Sequence, residues 1–223
     1  MQKEKKLDKW GNDPARRANA EHFIACTYDL IRRDGLSQLS IRKIADRAGF
    51  HNSTIYLYFQ DSDELIFLAC IKYLDPYAAG LAQIENESLP SLERFYRVWE
   101  LFCSSAFADP QIFRHIFFGK YGEELTDMLH LYYELFPDEK GSYSDEMREM
   151  FYGKSIKERS MTLLNSLCGE KECRVTKDNV EQVNRLLVYG LKAMLEEACD
   201  TDQYTAKKHT TFFLKMLHFL IDA

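Results

Sequence analysis

Apolar residues return every third or fourth position along most of this chain, with polar residues between them, the signature of helices that bury one face. Asp13 and Pro14 offer a capping side chain followed by proline at the first helical position, and Phe23, Ile24, Thr27, Leu30 and Ile31 then share one face. Gly35 ends this first helix near Asp34. Ser40 caps a second helix running through Ala48, which Gly49 stops after about two turns, and a third short helix spans Asn52 to Phe59. Asp61 and Glu64, three apart, start a fourth that must bend or stop around Pro76. Residues 89–108, 110–120, 123–136 and 144–167 continue the helical pattern, with a break at 137–142. Two helices, residues 178–199 and 205–221, close the chain.

Composition agrees with an all-α chain. Ten glycines and five prolines are about half of average usage, and only five valines occur. The longest unbroken apolar run covers residues 65–71, far below the roughly 20 residues of a membrane crossing, so no membrane role is expected. The lysine-bearing start at residues 1–12 reads as a flexible basic arm without a signal peptide. Six cysteines then read as reduced thiols of a cytoplasmic protein. Only Cys168 and Cys173 lie close together and no histidine is near them, so neither a metal nor a cofactor is expected.

Charge is divided unevenly. Residues 1–60 carry 11 Lys and Arg against 7 Asp and Glu, a net of +4, whereas residues 61–223 carry 18 against 28, a net of -10. A basic head on an acidic body suggests that the head alone meets a polyanion.

The segment from Ile41 to Ile55, IRKIADRAGFHNSTI, has the spacing of a helix-turn-helix. Ala45 is small where two helices cross, Gly49 tolerates a left-handed turn, and Ile44, Ala48 and Ile55 seal the junction. His51, Asn52, Ser53 and Thr54 then face outward on the first turn of the next helix, with hydrogen-bonding groups suited to base edges. A plain helical hairpin would show the same small–Gly–apolar pattern.

The flanks extend the pattern. Residues 35–66, GLSQLSIRKIADRAGFHNSTIYLYFQDSDELI, resemble the N-terminal domain of TetR-family transcriptional regulators through Gly35, Ser40, Ile44-Ala45, Ala48-Gly49, Thr54-Ile55-Tyr56, Phe59 and Glu64-Leu65. With the preceding helix the likeness covers residues 14–68. It implies a three-helix DNA-binding head at residues 13–60 and a larger helical effector-binding and dimerisation domain at 61–223. Tyr56 would donate its hydroxyl to a backbone phosphate, against the plainer role of a half-buried aromatic. Arg42 and Lys43 would reach phosphate from the start of the second helix, Ser40 would cap that helix and touch DNA, and Thr54 would meet a thymine methyl or a phosphate. Lys3, Lys5, Lys6 and Lys9 of the arm could follow a groove or merely solubilise. Two departures stand out. Ser62, flanked by Asp61 and Asp63, occupies the place of a frequent phosphate-binding lysine, and His51 stands where a small capping residue is usual. Either His51 reads a base, or it caps poorly and Asn52 takes over.

The same resemblance implies a homodimer through residues 178–199 and 205–221 on a palindromic operator of double-stranded DNA, although both helices could be simple core helices. It also implies a small-molecule pocket among the aromatic-rich middle helices, with Trp99, Phe102, Cys103, Phe113, His115, Phe117 and Tyr132 as candidate lining or core. The expected function is a ligand-responsive transcriptional regulator, a repressor released by a small apolar or aromatic effector. Control by a protein partner or by cysteine oxidation is the alternative. A helical enzyme is a distant one, because no catalytic motif is present and the six histidines lie scattered without visible partners.

Overall fold

The computed structural model describes residues 9–11, 13–140, 155–200 and 203–223. Most of the expected arm, including Lys3, Lys5 and Lys6, and the start of the helix expected from residue 144 lie outside the described residues. Among the described residues the architecture is all-α, with a single isolated β-bridge between Cys173 and Asp222 and no strand.

Two compact units emerge, one holding the described residues up to Tyr73 together with Thr126–Lys140, the other holding Leu74–Leu125 and the described residues beyond 154. This division differs from a boundary at residue 60. The helix beginning at Ser62 belongs wholly to the first unit, and a later helix returns to it.

In the first unit, helix α1 (Pro14–Asp34) is capped by Asp13, whose carboxylate accepts from the Ala15 amide at 3.0 Å, and it ends at Gly35. Helix α2 (Ile41–Ala48) is capped by Ser40 and stopped by Gly49 at φ 77°, ψ 27°, a left-handed conformation in which glycine avoids the strain of a Cβ. Residues Asn52–Leu57 then form a 3-10 helix, two residues shorter than the short helix expected to Phe59. Asn, Ser, Thr and Ile in succession are all weaker α-formers, which favours the tighter, shorter form. Asp61 caps helix α3 (Ser62–Cys70) by accepting from the Glu64 amide at 2.9 Å.

The core of this unit gathers Phe23, Ile24 and Leu30 of α1, Ile44 and Ala45 of α2, Ile55 of the 3-10 helix, Phe59 just after it, and Leu65 and Leu68 of α3, all buried. Phe23 is its centre, 5.0 Å from the Phe50 ring, 5.7 Å from Tyr58 and 6.2 Å from Phe59. Trp10 is only 1% exposed and lies edge-on to Phe59, so the end of the expected arm is part of the head.

A 3-10 turn (Ile71–Leu74) leads into helix α4 (Asp75–Glu85), with Pro76 in its first turn, so the break expected at this proline is present. Together, Ser62–Glu85 spans 24 residues with a mean hydropathy of 1.4 over its most apolar window, long and apolar enough to cross a bilayer by those measures. The short unbroken run had concealed this. However, 56% of the window is buried inside the protein, as in the core helix of a water-soluble fold.

Helices α5 (Ser91–Ala108) and α6 (Pro110–Phe118) follow in the second unit. Helix α7 (Leu125–Leu135), from Thr126 on, returns to the first unit, where Arg17 of α1 pairs with the Glu134 carboxylate at 3.2 Å and also donates to its carbonyl. The chain completes the second unit with α8 (Ile156–Asn165), α9 (Val180–Ala198) and α10 (Gln203–Ile221). There α10 packs on α5, α9 packs on α8, α6 and α10, and α4 packs on α5. Gly190 permits the approach of α9 to α10, since a Cβ there would sit 2.9 Å from the Met216 methyl.

Candidate nucleic-acid interface and ligand cavity

The 3-10 helix Asn52–Leu57, the expected recognition segment, is held mainly at its end while most of its side chains stay outside. Three groups from the amino-terminal side grip its end: Trp10 Nε1–H donates to the Tyr58 carbonyl at 3.2 Å, Arg16 to the Leu57 carbonyl at 3.0 Å, and the Asn19 amide to the Tyr58 hydroxyl at 2.9 Å. Ile55 turns inward and is fully buried, and Phe59 closes the core behind it. His51, Asn52 and Ser53 are exposed, Thr54 is half-buried, and Tyr56 is 55% exposed with no protein partner for its hydroxyl among the described residues.

His51 itself is the cap. Its Nδ1 accepts from the Ser53 amide at 3.4 Å and lies 2.8 Å from Ser53 Oγ, so Asn52 does not take over that task. Capping occupies one ring nitrogen and leaves Nε2 on the outer edge, so the two roles weighed for His51 are compatible.

At the start of α2, Ser40 Oγ accepts from the Lys43 amide at 3.2 Å, which fulfils its capping role. Arg42 is strongly exposed and only loosely paired with Asp46 at 3.7 Å. Lys43 instead donates through Nζ to the Gln38 carbonyl at 2.8 Å. Lys9, considered as a groove-following lysine, is bound to buried Glu64, which also accepts from the Gln60 amide. One residue escaped the sequence reading: Leu57, 66% exposed beside Tyr56. Its signal was available, since an apolar residue two positions after buried Ile55 falls off the inward face of so short a helix.

In the second unit a cavity of about 300 Å³, counting its open mouth, is lined by Tyr77, Val98, Trp99, Phe102, Ile156, Arg159, Ser160 and Leu163. Trp99 and Phe102 are thus lining residues as expected. Phe117 lies under the wall, with the Arg159 guanidinium stacked 5.6 Å from its ring centre. Phe113 is buried edge-on to Phe102 at 5.8 Å and Cys103 is wholly buried, so these two act as packing behind the lining. His115 is half-buried on α6 and is not part of the lining. Tyr132 belongs to the first unit, where its hydroxyl donates to Glu139 and its ring tilts against Phe136 at 4.7 Å.

Arg159 and Ser160 were missed because the pattern search followed aromatic residues, whereas these polar side chains, 5% and 1% exposed, face an apolar enclosure. Burial pushes the Tyr77 phenol well above its ordinary range, although nearby Arg159 opposes this, so the phenol stays neutral. Burial likewise pushes up the thiols of Cys26, Cys70, Cys103, Cys173 and Cys199, which keeps them from the reactive thiolate form. Among the described residues no group of three or more His, Cys, Asp or Glu side chains could hold a metal ion.

A capped helix, a left-handed glycine and an outward-facing short helix form a helix-turn-helix within an all-α chain. Residues 23–69 match the family model described as bacterial regulatory proteins, tetR family. An "Uncharacterized HTH-type transcriptional regulator" of Haemophilus influenzae is 35% identical over 81 residues, 36% of this chain and 43% of that protein. The match therefore spans less than half the length of that curated relative. Among solved structures, SmeT of Stenotrophomonas maltophilia, the repressor of the multidrug efflux pump SmeDEF, shares the fold with a TM-score of 0.53 at 12% identity, over 92% of this chain and 90% of that one. A SmeT–triclosan complex aligns with a TM-score of 0.50 at 13% identity, over 92% of each chain. The first of these relatives is described as a transcriptional regulator and SmeT as a repressor.

Proposed function

We propose that this chain is a cytoplasmic DNA-binding transcriptional regulator that acts as a homodimer and is released from a palindromic operator by a small molecule. The observation that carries this reading is the recognition segment Asn52–Leu57, locked by its backbone onto the head while His51, Asn52, Ser53, Tyr56 and Leu57 remain exposed. Asn52 and Ser53 can exchange hydrogen bonds with base edges, and Leu57 suits a thymine methyl. Tyr56 and Arg42, both exposed, can donate to backbone phosphates.

One such head reads too few base pairs for useful selectivity, so two copies on successive grooves are needed. Support for a dimer comes from exposed apolar side chains. The six large hydrophobic residues exposed among the described residues fall in two places: Tyr56 and Leu57 on the recognition segment, and Leu186, Tyr189, Phe212 and Phe219 on α9 and α10. Leu186 and Tyr189 are three apart and Phe212 and Phe219 seven apart, so each pair shares a helix face. The cavity supports small-molecule control, and Tyr77 of its wall lies on α4, which follows α3 of the head after one 3-10 turn. A ligand that shifts this helix would change the spacing of the paired heads.

Selection of bound duplexes from a random pool, followed by gel shifts, tests the reading. Tyr56→Phe weakens binding to all sequences alike, His51→Ala relaxes preference at one or two base pairs, and affinity falls by roughly 0.9 log units per log unit of salt for each phosphate neutralised. Absence of any sequence-selective duplex at low ionic strength would refute it. For the dimer, Phe219→Glu gives a monomer by light scattering while its helicity persists; an unchanged molar mass would count against this interface.

A further inference from the structure

Several helical hydroxyls in this chain bond back to the preceding turn. Thr27 donates to the Phe23 carbonyl at 2.8 Å, Ser105 to that of Leu101 at 3.0 Å, Thr162 to that of Glu158 at 3.2 Å and Thr211 to that of Lys207 at 2.9 Å. Ser160, on the same helix as Thr162, does not: it is 1% exposed and its Oγ is buried without a hydrogen-bond partner. The indole N–H of Trp99, a residue 3% exposed, is likewise buried without one. The rings of Phe95, Phe102 and Phe213 flank that indole at centroid distances of 6.4, 5.8 and 5.3 Å, hydrocarbons with no oxygen to accept from it. The two residues come from different helices, α5 and α8, yet both line the cavity of the second unit. Leaving such groups unpaired is costly, and a wholly hydrocarbon occupant would also seal them from water.

We infer that this cavity takes a small, mainly hydrocarbon molecule bearing a carbonyl oxygen, to which the Trp99 N–H and the Ser160 hydroxyl both donate. The inference rests on the regulator reading above and deepens it by naming the polar group that the effector carries. An indole N–H only donates, so the ligand atom facing it must accept, and a carbonyl oxygen with two lone pairs can accept from both groups at once. Val98, Phe102 and Leu163 of the wall receive the carbon skeleton. The oxygen then sets selectivity, because a ligand of the same shape without it leaves two buried donors unserved.

The test uses two pairs of ligands in which an oxygen replaces a methylene group at constant shape, acetophenone with α-methylstyrene and cyclohexanone with methylenecyclohexane. Each is titrated into the nitrogen-15-labelled full chain, and the Trp99 indole resonance is identified by its loss in Trp99→Phe. At least one ketone binds and moves the Trp99 indole proton downfield, as a new hydrogen bond does, whereas its alkene partner does not. Ser160→Ala, which removes one atom and keeps the fold, weakens that ketone about three- to tenfold relative to the alkene. An indole resonance unmoved by bound ketone, a ketone-to-alkene affinity ratio indifferent to Ser160→Ala, or no binding by any of the four would overturn the inference. Gel shifts on the same preparations keep the two readings apart. Ketone binding with this oxygen dependence and no effect on DNA sinks ligand control but upholds the site, and absence of DNA binding sinks the regulator reading while the titration still decides the ligand.

Discussion

The recognition segment and the ligand cavity present opposite arrangements of polar groups. In the head, the capping side chains are satisfied locally: Ser40 caps α2, His51 caps its own short helix and Asp61 caps α3, each within three residues of its partner. In the second unit, polar side chains are inside and drawn from separate helices, Trp99 from α5 and Arg159 and Ser160 from α8, and two of them have unpaired atoms. Donors displayed in water keep their hydration, so an exposed polar surface of this kind costs little to hold ready for a partner. Donors buried without partners carry a desolvation cost that any group able to pair with them would relieve.

The contrast can be broken at its structural base. Phe23→Ala removes the ring at the centre of the head core, which we expect to cost about 3–5 kcal/mol, read as a shift of the denaturation midpoint. Sequence-selective DNA binding falls with the folded fraction of the head. Two cysteines sharpen the test, because Cys70 lies in the first unit and Cys103 in the second, both fully buried. Burial raises both thiols, so at pH 8 each has a smaller thiolate fraction than a free thiol, and native protein resists a thiolate-selective reagent at both positions until it opens. In Phe23→Ala, mass-spectrometric mapping shows faster labelling of Cys70 with Cys103 still protected. Equal acceleration at both would show that the units open as one.

Smaller effects follow at the turn. Gly49→Ala places a Cβ at φ 77°, where the space is open but the backbone is unfavourable for an L residue, and costs about 1–2 kcal/mol in thermal or chemical unfolding. Cavity ligands bind this variant as they bind the unaltered chain. Loss of ligand affinity would contradict the separation of the two regions.

Much of the head was legible because its determinants are close together in the chain. Asp13-Pro14, Ser40, Gly49 and Asp61 act on neighbours within a few residues, and their caps and turns are present where the pattern placed them. The last two helices were also legible, since their apolar faces repeat over five turns. The cavity was legible only as an aromatic composition. Which rings faced it and which packed behind it depended on how α4, α5 and α8 come together, information that no local window contains.

The sequence by itself determined an all-α chain with a helix-turn-helix near its start, because capping, periodicity and glycine conformation are properties of short stretches. Only the tertiary structure decided that Trp10 and α7 join the head, that Lys9 serves Glu64, and that Arg159 and Ser160 enter an apolar cavity. Those outcomes are contacts between residues far apart in the chain, where burial and donor–acceptor pairing are settled jointly by several helices at once.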